Sequence, residues 1–298
     1  VEIRFYNEPN FLLPWTFNGR MHDKYLIVDG SLMVLGGRNT FDLFLGDYVP
    51  DSQKSHDNDV LVCNTAPTLE HSVIGQVEGY FEKVWDQPDT RPALERTPAL
   101  RAAAVSAAAG ELRTRPAYAL TPAGLDYEAM TVPVEKATLL TNPTGIFAKE
   151  PTLWWQLQQL MEGARDRVYL QTPYAVPSAA MYDGLARVAE KGIPFEMQLN
   201  SVAVGDNLVA SSDYLTNRSR LLDTGVTVWV GDYSSHGKAA LIDDLAVVGS
   251  YNFDMRSTYL DTEMMLVFYG DAFYDLLEAN LMEMEAQCLQ VSEEGYLP

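Results

Sequence analysis

Cysteine is nearly absent from this chain. The 298 residues include two, Cys63 and Cys288, which excludes a disulfide framework. Neither lies in a CxxC or a Cys/His cluster, so no structural metal site is expected. Both fall on apolar faces and read as buried, inert thiols. Basic residues are scarce as well: 21 Lys and Arg stand against 41 Asp and Glu, a net charge of −20. A face that grips many nucleic-acid phosphates carries a basic excess, so nucleic acid is a disfavoured partner. No apolar run approaches the ~18 residues of a membrane span, and no signal peptide opens the chain. What remains is an ordinary globular composition, 47% apolar and 21% charged, with length for about two domains.

Histidine is also rare, at four, and two of the four belong to an internal repeat. RMHDKYLIVDGSLMVLGGRN contains His22, Lys24, Asp29, Gly36, Gly37 and Asn39; SSHGKAALIDDLAVVGSYN contains His236, Lys238, Asp243, Gly249, Ser250 and Asn252. The second copy is one residue shorter between its Asp and its Gly. Each copy continues into a strand that begins with an acid, Asp59–Val62 and Glu263–Val267, and then into an amphipathic helix. Chance duplication does not produce matched His, Lys, Asp, Gly and Asn in a chain with four histidines.

Upstream of His236, strands at 137–141, 168–172, 195–199 and 226–230 alternate with helices at 152–164, 178–191 and 214–223. That alternation predicts an α/β fold with a mixed, mostly parallel sheet flanked by helices. Upstream of His22 there is room only for one strand, 1–5, the counterpart of 226–230. The expected organisation is a first lobe over 1–88, a connector with an Ala-rich helix over 89–134, and a second lobe over 135–298. The first lobe is expected to be N-terminally incomplete, with the active site at the lobe interface.

His-x-Lys on a strand puts both side chains on one face, because the period is two. The ammonium attracts phosphate oxygens; the imidazole can attack phosphorus or move a proton. The Gly36–Gly37 and Gly249–Ser250 pairs allow close backbone approach, and Asn39 and Asn252 can donate to a phosphoryl oxygen. Together the copies describe a clamp for a phosphodiester, with one His as nucleophile and the other as acid. Asp59 and Glu263 are expected to bond an imidazole Nδ1 and fix its tautomer. Asp29 and Asp243 read as structural turn residues. His56 reads as part of a solvated loop and His71 as a plain helix position. The apolar segment Phe11–Phe17 either lies at a lipid surface or packs into the core.

HxKxxxxD followed by GGxN or GSxN, present twice, resembles the signature of the phospholipase D superfamily. Gly36–Asp47, Gln171–Pro177, Leu199–Asp206 and Gly249–Glu263 resemble its bacterial cardiolipin synthase branch. The resemblance implies two similar lobes meeting at one cleft, and a phosphohistidine intermediate that needs no metal or cofactor. By that motif His22 is the nucleophile and His236 the general acid, although a near-symmetric site also permits the reverse. Lys24, Lys238, Asn39 and Asn252 would hold the phosphoryl oxygens. The implied substrate is a phospholipid, phosphatidylglycerol with phosphatidylethanolamine as another donor, at a bacterial membrane surface; any N-terminal anchor would lie outside this chain. A water-using phospholipase and a phosphodiesterase or nuclease are the alternative readings.

Overall fold

The computed structural model describes residues 2–45, 49–66, 68–93, 99–114, 124–204 and 207–297. The strands in chain order are β1 (Arg4–Tyr6), β2 (Tyr25–Val28), β3 (Leu32–Gly36), β4 (Asp59–Cys63), β5 (Thr90–Pro92), β6 (Lys136–Thr141), β7 (Val168–Gln171), β8 (Ala175–Val176), β9 (Phe195–Asn200), β10 (Thr227–Gly231), β11 (Ala239–Ile242), β12 (Leu245–Gly249), β13 (Phe253–Asp254), β14 (Met264–Tyr269), β15 (Cys288–Val291) and β16 (Tyr296–Leu297). Nine of them form one sheet in the order β16-β15-β10-β9-β7-β11-β12-β14-β6.

That sheet is mixed, but it is not mostly parallel. Only β7–β9 and β9–β10 pair in parallel, and the helices Ala179–Ala189 and Leu208–Leu222 cross over between them. Elsewhere the chain turns back through hairpins or returns antiparallel, as in β11–β12–β14–β6. A short turn can only join antiparallel strands, whereas a parallel pair needs a long crossover. The duplicated motif is itself such a hairpin, so it brings antiparallel pairing with it.

Both faces of the large sheet are buried, which explains its near-continuous apolar strands. Ala240, Ile242, Val247, Met265 and Val267 face a core built with the helices Thr152–Gly163 and Ala179–Ala189. Their alternates, Ala239, Leu241, Ala246, Val248, Met264, Leu266 and Phe268, face a second core. There they meet Met33, Leu35 and Val60 of the sheet β2-β3-β4 and Val73, Ile74, Val77, Tyr80 and Val84 of the helix Val73–Trp85. The lobes thus share one apolar core.

Part of the repeat is reproduced in the strands. β2–β3–β4 matches β11–β12–β14, and the antiparallel pair β1–β5 matches β10–β15. Among the described residues the first lobe has no counterparts of β7 and β9, and its face bearing Leu26, Val28 and Val34 is exposed. The Ala-rich stretch forms the helix Ala99–Arg113. Cys63 and Cys288 are free and half-buried rather than buried. His71 is exposed in a 3-10 turn, Leu69–His71, just ahead of Ser72, whose hydroxyl caps the following helix at the Gly75 N–H, 3.0 Å away.

The two hairpin turns differ by the residue that the sequence lacks. In the first, Asp29 and Gly30 both adopt positive φ and three residues separate the paired Val28 and Leu32. In the second, Ile242 pairs with Leu245 directly across Asp243 and Asp244, and Asp243 has φ 51°. Asp243 does more than turn the chain. Its carboxylate accepts the backbone N–H groups of Asp166 (2.8 Å), Arg165 (2.9 Å) and Arg167 (3.2 Å), stitching the hairpin to the start of β7. Burial opposes ionisation here, but these three donors win and hold the carboxyl below the ordinary aspartate range. Asp243→Ala is therefore expected to cost about 1–3 kcal/mol in urea unfolding at pH 7. Because the folded-state pKa is depressed, this contribution is present above the ordinary value of about 3.9 and is lost as pH falls further. The gap between wild type and variant should narrow accordingly in acid.

Candidate active site

β2 begins directly after the first His-x-Lys and β11 directly after the second. Close pairing behind each motif needs its glycines. A Cβ on Gly36 would collide with Asp59 and the Asn58 carbonyl; one on Gly249 would collide with the Met264 carbonyl. Gly37 marks where the two motifs touch. A Cβ there would strike the Asp57 carboxylate and come within 3.0 Å of the Lys238 side chain and 3.1 Å of the His236 carbonyl.

Each imidazole is held from the opposite lobe. His22 Nδ1 lies 2.8 Å from Glu263 Oε1, and His236 Nδ1 lies 2.8 Å from Asp57 Oδ2. A proton on each Nδ1 leaves each Nε2 with a free lone pair. The backbone repeats the exchange: the His22 N–H donates to the Thr262 carbonyl at 3.3 Å, and the His236 N–H to the His56 carbonyl at 2.6 Å.

Asp59 is not the partner of an imidazole. It pairs instead with the Arg38 guanidinium. The ladder register gives the reason. Gly36 pairs with Asp59 and Gly249 with Met265, so the counterpart of Glu263 is Asp57, two residues before β4 proper. Loops of different length separate motif and acid in the two lobes; β4 does begin at Asp59 as the sequence indicates, but Asp59 and Glu263 are not equivalent positions in their ladders. The two acids are also accommodated differently. Glu263 is fully buried and accepts from Ser250 Oγ and Ser257 Oγ, each at 2.5 Å. The shorter Asp57 needs the bare backbone of Gly37 where the second lobe has Ser250.

The cations lie inside this frame. Lys238 is fully buried, its Nζ 2.7 Å from His236 Nδ1 and hydrogen-bonded to the His236 carbonyl. Lys24 Nζ donates in the same way to the His22 carbonyl, and burial lowers its pKa. Burial, then Lys24 and Lys238, pull the His22 imidazole from 6.5 down to about 4. That both lysines act on His22 places the two motifs within electrostatic reach of each other. His236 is lowered too, by burial, with the Asp57 hydrogen bond opposing and Lys238 adding. Burial raises the Glu263 carboxyl against its two hydroxyl donors.

Asn252 is buried; its amide donates to the Tyr174 hydroxyl at 3.2 Å, and its Oδ1 has no partner among the described residues. Asn39 is partly exposed two residues beyond Gly37. Asp29 stays at its turn, exposed. His56 is exposed, with its ring against Tyr233 at 5.7 Å, and contributes through its backbone. Sequence reasoning missed Asp57, Thr262, Ser257, Asn58 and Phe44. Asn58 donates to Gln171, and the Phe44 ring sits edge-on to His236 at 5.1 Å. No local pattern marks Asp57, because its place opposite the motif follows from the ladder register of Gly36 with Asp59. Of the segments that carried the resemblance, Gly46, Asp47, Gly205 and Asp206 lie outside the described residues.

Phe11–Phe17 does not pack into the core. Phe11 is 89% and Leu12 87% exposed, and the Phe11 and Phe17 rings touch at 5.4 Å. Among the described residues no helix is long and apolar enough to cross a membrane.

Residues 157–284 match the family profile described as "Cardiolipin synthase, PLD-like domain". The chain is 25% identical to cardiolipin synthase C of Escherichia coli (strain K12), over 96% of this chain and 68% of that protein. It is equally 25% identical to cardiolipin synthase 1 of Staphylococcus aureus (strain MRSA252), over 96% of this chain but about half, 51%, of that protein. Among solved structures it resembles phosphatidylserine synthase of Haemophilus influenzae in fold, with TM-score 0.60, 14% identity, and coverage of 91% of this chain and 63% of that one. The profile match and the fold likeness make the chain similar to phospholipase D-like proteins. Both of these relatives, matched over nearly the whole of this chain, are cardiolipin synthases.

Histidine NMR tests the electrostatics. His22 is expected to titrate near 4 rather than 6.5, and Lys24→Met to move that midpoint upward. An unshifted His22 would contradict the buried, cation-flanked site.

Proposed function

We propose that the protein is a phospholipase D-type phosphatidyltransferase that makes cardiolipin from phosphatidylglycerol, with phosphatidylethanolamine as an alternative donor. The observation that carries this reading is the crossed pair of carboxylate–imidazole bonds, which brings two His-x-Lys motifs into one site. The similarity to cardiolipin synthases supplies the substrate class.

His22 is the nucleophile. Its depressed pKa keeps Nε2 unprotonated, and the Nδ1 bond to Glu263 steadies the positive charge that develops on attack. Nε2 attacks phosphorus; the N–P bond forms as the P–O bond to the glycerol headgroup breaks. His236 Nε2–H gives its proton to that leaving oxygen. Burial lowers His236 overall while its bond to Asp57 opposes that; the arriving phosphodiester anion raises it toward the protonated form. Next, the free hydroxyl of a second phosphatidylglycerol gives its proton to His236 and attacks phosphorus. The N–P bond breaks and cardiolipin leaves. Lys24, Lys238, Asn39 and Asn252 hold the non-bridging oxygens through both steps.

The lipid surface is met through apolar contact. With a net charge of −20, attraction to anionic headgroups is weak or reversed, and the exposed Phe11–Phe17 segment, five residues before His22, supplies insertion in its place.

The test is mass spectrometry of products from phosphatidylglycerol in mixed micelles, with and without phosphatidylethanolamine. Cardiolipin plus glycerol is expected, and His22→Ala is expected to lower the rate by roughly 10³-fold or more. Phosphatidic acid alone would mean a hydrolase. No lipid product from folded protein would overturn the reading.

A further inference from the structure

The residue between His22 and Lys24 is an aspartate, and the motif chemistry does not use it. Just ahead of β2, the Asp23 side chain points toward Tyr80 and Thr262 in the interior. Its side chain is buried. Oδ2 accepts from the Thr262 hydroxyl at 2.6 Å and from the Tyr80 hydroxyl at 2.9 Å. Oδ1 has no partner among the described residues. A buried acid with one oxygen unpartnered is costly for the fold, and an apolar residue would serve packing better.

We propose that Asp23 is a positioning residue for His22: it locks Thr262 across the lobe interface so that the next residue, Glu263, stays on His22 Nδ1. The inference rests on the phosphatidyltransfer reading, with His22 as nucleophile, for its kinetic readout and for the contrast with the second motif. Thr262 has a single hydroxyl proton, and Asp23 takes it. The hydroxyl oxygen is left facing the His22 N–H, 3.3 Å away, beside the Thr262 carbonyl that the same N–H reaches. The Thr262 N–H donates to the Arg20 carbonyl at 2.9 Å, and the Arg20 N–H to Asp261 Oδ1 at 2.7 Å. Residues 20–23 and 261–263 are therefore stapled in succession, and Asp23 ties the staple to the helix Val73–Trp85 through Tyr80.

The second motif has no such lock. The counterpart of Asp23 is Gly237, where a Cβ would collide with Gln171 and lie 2.7 Å from Asn58 Nδ2. The counterpart of Thr262 is His56, which offers only its backbone. The lock is present at the imidazole that must attack in line and absent at the one that shuttles a proton. In-line attack is the step more sensitive to sub-ångström displacement.

The experiment compares Asp23→Ala with Asp23→Asn, which retains an acceptor for both hydroxyls. Two readouts are taken: kcat and KM on phosphatidylglycerol, and the downfield Nδ1–H proton resonance of His22 in the free protein. Asp23→Ala is expected to lower kcat roughly 10- to 100-fold with little change in KM, and to broaden or lose the resonance. Asp23→Asn should recover most of both. If Asp23→Ala does not fold, Thr262→Val should show the same losses and Thr262→Ser should relieve them. An intact resonance and unchanged kcat in Asp23→Ala overturn the proposal. So does a loss confined to KM, or one that Asn and Ser do not relieve. The resonance is read without substrate, so it separates this inference from the phosphatidyltransfer reading, which fails if wild type turns over no lipid.

Discussion

Glu263 reaches out of the second lobe to His22, and Asp57 reaches out of the first to His236. Neither imidazole has a carboxylate of its own lobe on its Nδ1. Tautomer, ring orientation and the availability of both Nε2 atoms therefore depend on how the lobes sit against each other. That apposition is set by the apolar layer in which Leu35 and Ile74 of one lobe meet Leu241 and Leu266 of the other. A slip between the layers would break both crossed bonds together. Packing in the core and chemistry in the cleft are in this sense one constraint.

The two halves of the crossed pair solve the same problem with different residues. A long acid, Glu263, leaves room for the Ser250 hydroxyl that binds it. A short acid, Asp57, must approach the strand more closely, and Gly37 makes the space. The near-symmetry of the fold thus ends at the side chains, and the two histidines sit in distinguishable electrostatic settings. Burial lowers both imidazoles, His22 to about 4 with Lys24 and Lys238 adding, and His236 against the opposing bond to Asp57. Lys24 and Lys238 concentrate positive charge in the cleft of a chain that is acidic overall, which favours a single phosphodiester there over a polyanion along the surface.

The motif residues, the hairpins and the alternation of strands with helices were all legible in the sequence, because each rests on local periodicity. His22, Lys24, His236 and Lys238 were marked by the repeat itself, although each pair stands immediately before its strand rather than within it. Pairing partners were less accessible. Asp59 and Glu263 look equivalent because both open an apolar run, yet the ladder aligns Glu263 with Asp57. That register depends on strand pairing across loops of unequal length, which no local pattern records. The direction of the sheet was misjudged for a related reason: helices betray parallel crossovers, while the antiparallel pairings β7–β11, β14–β6 and β10–β15 join strands distant in sequence. The exposure of Phe11 and Leu12, and the burial of Asp23 against Tyr80 and Thr262, are tertiary facts with no counterpart in the sequence pattern.

Covalent trapping is the most direct test of the division of labour between the two histidines. The His236→Ala protein, given phosphatidylglycerol and quenched before turnover, should carry a phosphatidyl group that peptide mass mapping assigns to His22. The His22→Ala protein treated identically should carry none. A group found on His236 in the His22→Ala protein, or none on His22 in a folded His236→Ala protein, would contradict the account.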